Sequence, residues 1–191
     1  MLDFFYHTPF AGVDLLSGKN GAASTDGVNT RVAHYGEHMR ENSRLQSSRE
    51  TVVVPAGSFD HCAQLETQIV TSAERHGRGP EVERVEREHA YYAGVKTAWY
   101  APGVGLVRLL YQHHNGRQTA IELIGYELAQ ASDAYLPLAL DNRWRYRWTD
   151  PESGTRFEET LRVAVRNGPQ WHLAFVTRAT AFGSGDGNVL T

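Results

Sequence analysis

The chain has little that would mark it as a redox, nucleic-acid or membrane protein. A single cysteine, Cys62, leaves no partner for an intramolecular disulfide and no set of thiolates for a zinc or iron–sulfur cluster. Positive charge is not in excess: 19 Lys+Arg stand against 22 Asp+Glu, a formal net charge of -3, so no overall field draws the chain to nucleic acid or anionic lipid. Nucleic acid is therefore not an expected partner. No apolar run approaches the length that spans a bilayer, and the start, MLDFFYHTPF, lacks a basic segment followed by an apolar core. The chain reads as soluble, with no transmembrane segment. Phosphate cradles of the G-x-G-x-x-G or P-loop kind are missing, as is a G-x-S-x-G nucleophile elbow, and no cofactor is expected. What remains is a chain of 191 residues, 41% hydrophobic and 21% charged, able to bury a sizeable core.

The strongest positive signal is period-two alternation between turn residues, the pattern of antiparallel strands with one buried face. From Thr155 to Arg166 it puts Phe157, Leu161, Val163 and Val165 on one side. Asn167-Gly168 then predicts a tight hairpin into Trp171, Leu173 and Phe175. A second hairpin is predicted from Val104–Gln112 and Arg117–Leu128, with His113-His114-Asn115-Gly116 at its tip. A strand over about 94–100 precedes it across Ala101-Pro102-Gly103. Thr51–Val54 turns through Pro55-Ala56-Gly57 into Phe59–Thr71, with Ala63, Leu65 and Ile69 on one face. The charged stretch 74–90 reads as a loop with ragged strand, and Ser17–Asn29 as an exposed loop. The fold class is mainly β, with little helix: an antiparallel meander forming a curved sheet, open barrel or sandwich. One β domain over 1–183 with a flexible tail at 184–191 accounts for this. The alternative is one β module over 1–130 and part of a second over 135–181.

Three segments carry a resemblance. They are Val52-Val53-Val54-Pro55-Ala56-Gly57-Ser58-Phe59, then Trp99-Tyr100-Ala101-Pro102-Gly103-Val104-Gly105-Leu106-Val107, and Tyr135-Leu136-Pro137-Leu138 with Asn142-Arg143-Trp144-Arg145-Tyr146. Together they resemble a loosely defined group of bacterial β-sheet domains, mostly of unknown function, often in exported or lipid-anchored proteins. The resemblance covers about 52–128 and part of 135–148. It implies a noncatalytic binding or structural module in an exported or envelope-associated setting. Two departures stand out: Asp141 occupies the place of a glycine, and the third segment, which opens such a module, here follows the other two. Either the strand order closes circularly or 135–181 begins a second module.

The run Arg143-Trp144-Arg145-Tyr146-Arg147-Trp148 is the most informative for function. On a strand it separates Trp144, Tyr146 and Trp148 from Arg143, Arg145 and Arg147. The plain reading is an aromatic core face, with arginines paired to acids such as Glu158 and Glu159 on the next strand. The sharper one gives the arginine face to an anionic ligand or partner. A third has Trp99, Trp144, Tyr146 and Trp148 facing inward to line a cavity for an apolar small molecule. His34-Tyr35-Gly36-Glu37-His38 matches H-x-x-E-H, in which a helix places two imidazoles one turn apart on zinc and the glutamate activates water. Gly36 and polar flanks argue for a polar strand or loop there instead. His113-His114 reads as an exposed turn. Asp60-His61-Cys62 is no catalytic dyad, because alternation sends His61 and Cys62 to opposite faces and Cys62 reads as buried. Glu122 and Glu127 are likewise predicted on opposite faces, which removes a paired acid/base role.

The expectation is therefore a noncatalytic β-sheet module with a protein partner. A carrier of an apolar small molecule is the alternative, and a zinc-dependent hydrolase through His34, Glu37 and His38 a second. An exposed sheet edge makes a homo-oligomer a further expectation.

Overall fold

The alternation resolves into nine strands in the computed structural model, which describes residues 24–32, 37–73, 93–149, 156–167 and 170–179. They are β1 (Ser24–Val32), β2 (Glu37–Val54), β3 (Gly57–Ala73), β4 (Gly94–Ala101), β5 (Gly105–His113), β6 (Gln118–Glu127), β7 (Arg143–Thr149), β8 (Arg156–Asn167) and β9 (Gln170–Ala179). Each pairs antiparallel with the next, in chain order, in one open sheet edged by β1 and β9. There is no helix among the described residues, and the mainly β antiparallel meander expected from the sequence is what forms. Circular closure is not: no β1–β9 ladder exists among these residues.

The core lies on one face, where residues in register form rows across the sheet. One row runs Leu45, Leu65, Ala98, Leu109, Ile121, Trp148 and Phe157, with the last two rings stacked at 4.5 Å. The next row toward the His113 end is polar yet buried: Ser43, Thr67, Lys96, Tyr111 and Thr119. Ser43 and Thr67 share a hydroxyl hydrogen bond of 2.9 Å, and Thr119 bonds His113 Nε2 at 2.7 Å. Each such pair removes the penalty of a buried unsatisfied group.

Curvature folds the buried face on itself. The Ala56 N–H, in the turn between β2 and β3, donates to the Leu123 carbonyl of β6 at 3.0 Å. The Trp144 indole donates to the Val104 carbonyl at 2.5 Å, and the Tyr146 hydroxyl to the Leu106 carbonyl at 3.1 Å. Burial pushes the Tyr100 and Tyr146 hydroxyls well above the usual phenol range, so both stay protonated as donors.

Bulges account for most places where simple alternation misleads. Between Val163 and Val165 the β8–β9 register slips, so Val165 leaves the inner face and is 52% exposed. Beside Val107 a slip between β4 and β5 accompanies Gly103 and Gly105, both at positive φ, which makes this a bulged hairpin. Near His61, whose φ is 57°, the β2–β3 ladder also slips, leaving His61 exposed with Cys62 and Ala63 both buried. Two further expectations need correction. Ser24–Asn29 belongs to β1 and is not loop, and β2 begins at Glu37 and not near Thr51; the segment 135–142 precedes β7 without strand structure. The stretches 17–23, 74–90 and 184–191 lie outside the described residues.

Cys62 is a core residue whose Sγ donates to the Phe59 carbonyl at 3.3 Å, and burial pushes its thiol from 9.0 up to about 11. The folded protein at about pH 8 should therefore resist a disulfide reagent that reacts fully once urea is added. Fast labelling of the folded form would contradict this. Because the unfolded thiol ionises first, its contribution to stability is intact below pH 9.0 and is lost as pH rises through about 11.

Candidate anion-binding face

The segregation expected along β7 is present: Trp144 and Tyr146 are buried, Trp148 is partly buried, and Arg143, Arg145 and Arg147 project from the opposite face. Trp99 does not join the inward aromatics. It pairs in register with Gln64 and Arg108 on the outer face, where its indole donates to Glu50 at 2.6 Å and the Arg108 guanidinium lies 5.7 Å from its ring. The reason is parity, since Ala98 and Tyr100 on either side are fully buried.

Three rows of this outer face differ sharply in charge. The first runs Gln64, Trp99, Arg108, Glu122, Arg147 and Glu158, so from β5 onward the sign alternates. Arg147 bonds Glu158 at 3.1 Å, as expected of a β7 arginine and an acid of the next strand. Glu159 instead lies opposite Tyr146 on the buried face, 2% exposed. The second row is Gly125, Arg145 and Thr160, with no acid beside the arginine. The third is Glu127, Arg143 and Arg162, with two arginines directly opposite each other. Like charges so placed destabilise a ladder. Arg162 is partly neutralised by Asp141, whose carboxylate accepts a short hydrogen bond from it.

Glu122 and Glu127 share this outer face, contrary to strict alternation. The β6–β7 register slips between Leu123 and Gly125, so both glutamates lie opposite β7 arginines, Glu122 by Arg147 and Glu127 by Arg143. A groove of about 530 Å³ results, lined by Gly125, Glu127, Arg143, Arg145, Thr160 and Arg162 among others. Gly125 forms part of its floor: a Cβ there would stand 2.9 Å from Arg145 Nη2 and 3.3 Å from Nε. Arg143 and Arg145 are exposed, and neither forms an ion pair among the described residues.

The loop before β7 sets where these arginines stand. Asn142 is fully buried. Its amide donates to the Pro137 carbonyl at 2.8 Å, and its Oδ1 accepts the Ala129 N–H at 2.8 Å. Its backbone bonds Ala139 and Val163, so one residue ties the loop to itself and to β8. Asp141, in place of the glycine of the resembled pattern, has φ 68°, a left-handed conformation that aspartate tolerates better than most residues. Sequence reasoning does not reach the importance of Asn142, Gly125, Thr160 and Arg162. Gly125 within a strand pattern is the one signal that points to the bulge.

The remaining candidates separate. Glu37 and His38 open β2 and pair with β1 and β3, so this pair lacks the helical geometry of the zinc motif, and His34 lies outside the described residues. Among the described residues no group of three or more His, Cys, Asp or Glu is arranged to hold a metal ion. His113 is buried, edge-on to Tyr111 at 4.4 Å, which corrects the expected exposed turn; its neighbour His114 is exposed. No described helix is long and apolar enough to cross a membrane. No family model matches the chain, and no curated protein or solved structure matches it.

Proposed function

We propose that the protein is a noncatalytic binding module that takes an anionic protein partner on the outer face of β6, β7 and β8. One observation carries the reading: Arg143 and Arg145 stand exposed in a groove without ion-pair partners among the described residues, whereas Arg147 one row away is matched by Glu158. A guanidinium presents a planar fork of donors that fits a carboxylate, and charge-assisted bonds of this kind are the strong ones. The inner aromatics serve a different purpose. Trp144 and Tyr146 are packed, with their polar atoms bonded to backbone carbonyls, so they give the apolar-carrier alternative no support.

Fluorescence anisotropy with a labelled glutamate-rich peptide tests the reading. Binding should weaken as salt rises. In the Arg143→Ala/Arg145→Ala double variant it should fall by about tenfold or more, the loss expected for one or two charge-assisted bonds. Circular dichroism should be unchanged, because both side chains lie on the solvent face. Absence of binding, or equal binding by the double variant, would remove the proposal.

A further inference from the structure

Resting on that reading, we infer that the occupant is an extended acidic segment of a partner protein, with carboxylates at alternate positions, laid along β7. Arg143 and Arg145 occupy positions i and i+2 on one face of a strand. At a rise of about 3.3 Å per residue their Cα atoms are roughly 6.6 Å apart along the strand. An extended peptide repeats its own side chains at the same interval, so acids at every second position meet both guanidinium groups in one register.

The surroundings favour carboxylate over a more highly charged anion. Arg162, directly across from Arg143, already holds a carboxylate, that of Asp141 in the adjoining loop. The chain thus supplies its own example of the recognition the groove would offer. Glu127, Glu158 and Glu159 line the groove with the arginines and Asp141 adjoins it, and this mixed field opposes the dense charge of a phosphate more than it opposes separate single carboxylates. Gly125 presents no side chain and so lets the Arg145 guanidinium lie close over the strand, and Thr160 adds a hydroxyl, so a peptide laid there meets polar groups.

The experiment compares labelled peptides of one composition: glutamate alternating with serine, and the same residues with a glutamate at every third position, which in an extended chain puts successive acids on opposite faces. Inorganic phosphate and a phosphoserine peptide serve as competitors. The alternating peptide should bind the wild-type protein about tenfold tighter than the one with every third residue acidic, the equivalent of one additional charge-assisted hydrogen bond that the matched register allows. Arg143→Lys, which keeps the charge but loses the fork, should reduce that preference. Gly125→Val should weaken the alternating peptide by raising the floor against Arg145. Equal binding of both peptides, still lost in the Arg143→Ala/Arg145→Ala variant, overturns this inference and leaves the binding module standing. Displacement by phosphate at concentrations comparable to peptide overturns it in favour of a phosphate site. No binding by any peptide removes the underlying reading as well.

Discussion

Replacing Trp144 with alanine is expected to remove about 3–5 kcal/mol of stability, the range for deleting a buried aromatic side chain from a core. Trp144 is 1% exposed and lies beneath the turn between β4 and β5. It joins distant parts of the sheet, since its indole bonds Val104 at a separation of 40 residues. A Cβ on Gly105 would come within 3.3 Å of the indole Nε1, so the ring sits where the turn has been kept bare. Against a total stability of about 5–15 kcal/mol for an ordinary domain, such a loss takes from about a fifth to the whole of the margin. Trp144→Phe keeps most of the apolar surface and strands the Val104 carbonyl, for which about 1–3 kcal/mol is expected. Urea unfolding of the two variants measures both. A change below about 1 kcal/mol for alanine would mean that the ring is not a core element.

Gly94→Ala is the second large effect. At the start of β4 a Cβ on residue 94 would stand 2.1 Å from the Gln112 carbonyl oxygen and 3.0 Å from His113 Cα, all backbone atoms of β5. Nothing flexible can yield, so the two strands must separate where Gly94 pairs with His113, two residues from the buried Lys96 and Tyr111 pair. Over-packing of this kind typically costs about 1–3 kcal/mol, and the upper end is expected here because backbone must move. The loss should be read as a lower urea midpoint, with faster amide exchange at the His113 end of β4 and β5. Wild-type stability in this variant would show that the close approach is relieved at little cost.

These two sites are not equally legible in the sequence. Trp144 is marked by its alternation with arginines, and its burial follows directly from strand parity. Gly94 carries no such mark, because the backbone that constrains it belongs to a neighbouring strand. The same division runs through the fold. Strands β4 to β9 announce themselves by apolar alternation and by turns such as Pro102-Gly103 and Asn115-Gly116. The part of β2 before Thr51, with Met39 and Leu45 as its only apolar residues, does not, and it is held as strand by its ladder with β3. Long-range pairing overrides a weak local preference there.

The candidate face is half legible for the same reason. The arginine stripe of β7 is plain, and so is an acid for it on the next strand, though that Glu158 meets Arg147 while Glu159 lies opposite Tyr146 depends on the register. Strict alternation puts Glu127 on the wrong face because a single extra residue in β6 reverses every side chain beyond it. Arg162 is recognisable as an outward residue of β8, but its position directly opposite Arg143 depends on a register that spacing alone does not fix.

The most direct test of the account is amide NMR of the isotopically labelled protein during titration with the alternating glutamate peptide. The expected result is a set of shifts confined to Gly125, Arg143, Arg145, Thr160, Arg162 and their immediate neighbours, growing with occupancy and suppressed by salt. Shifts centred on the buried face or on β2 to β4, or a spectrum unchanged at saturating peptide, would contradict it.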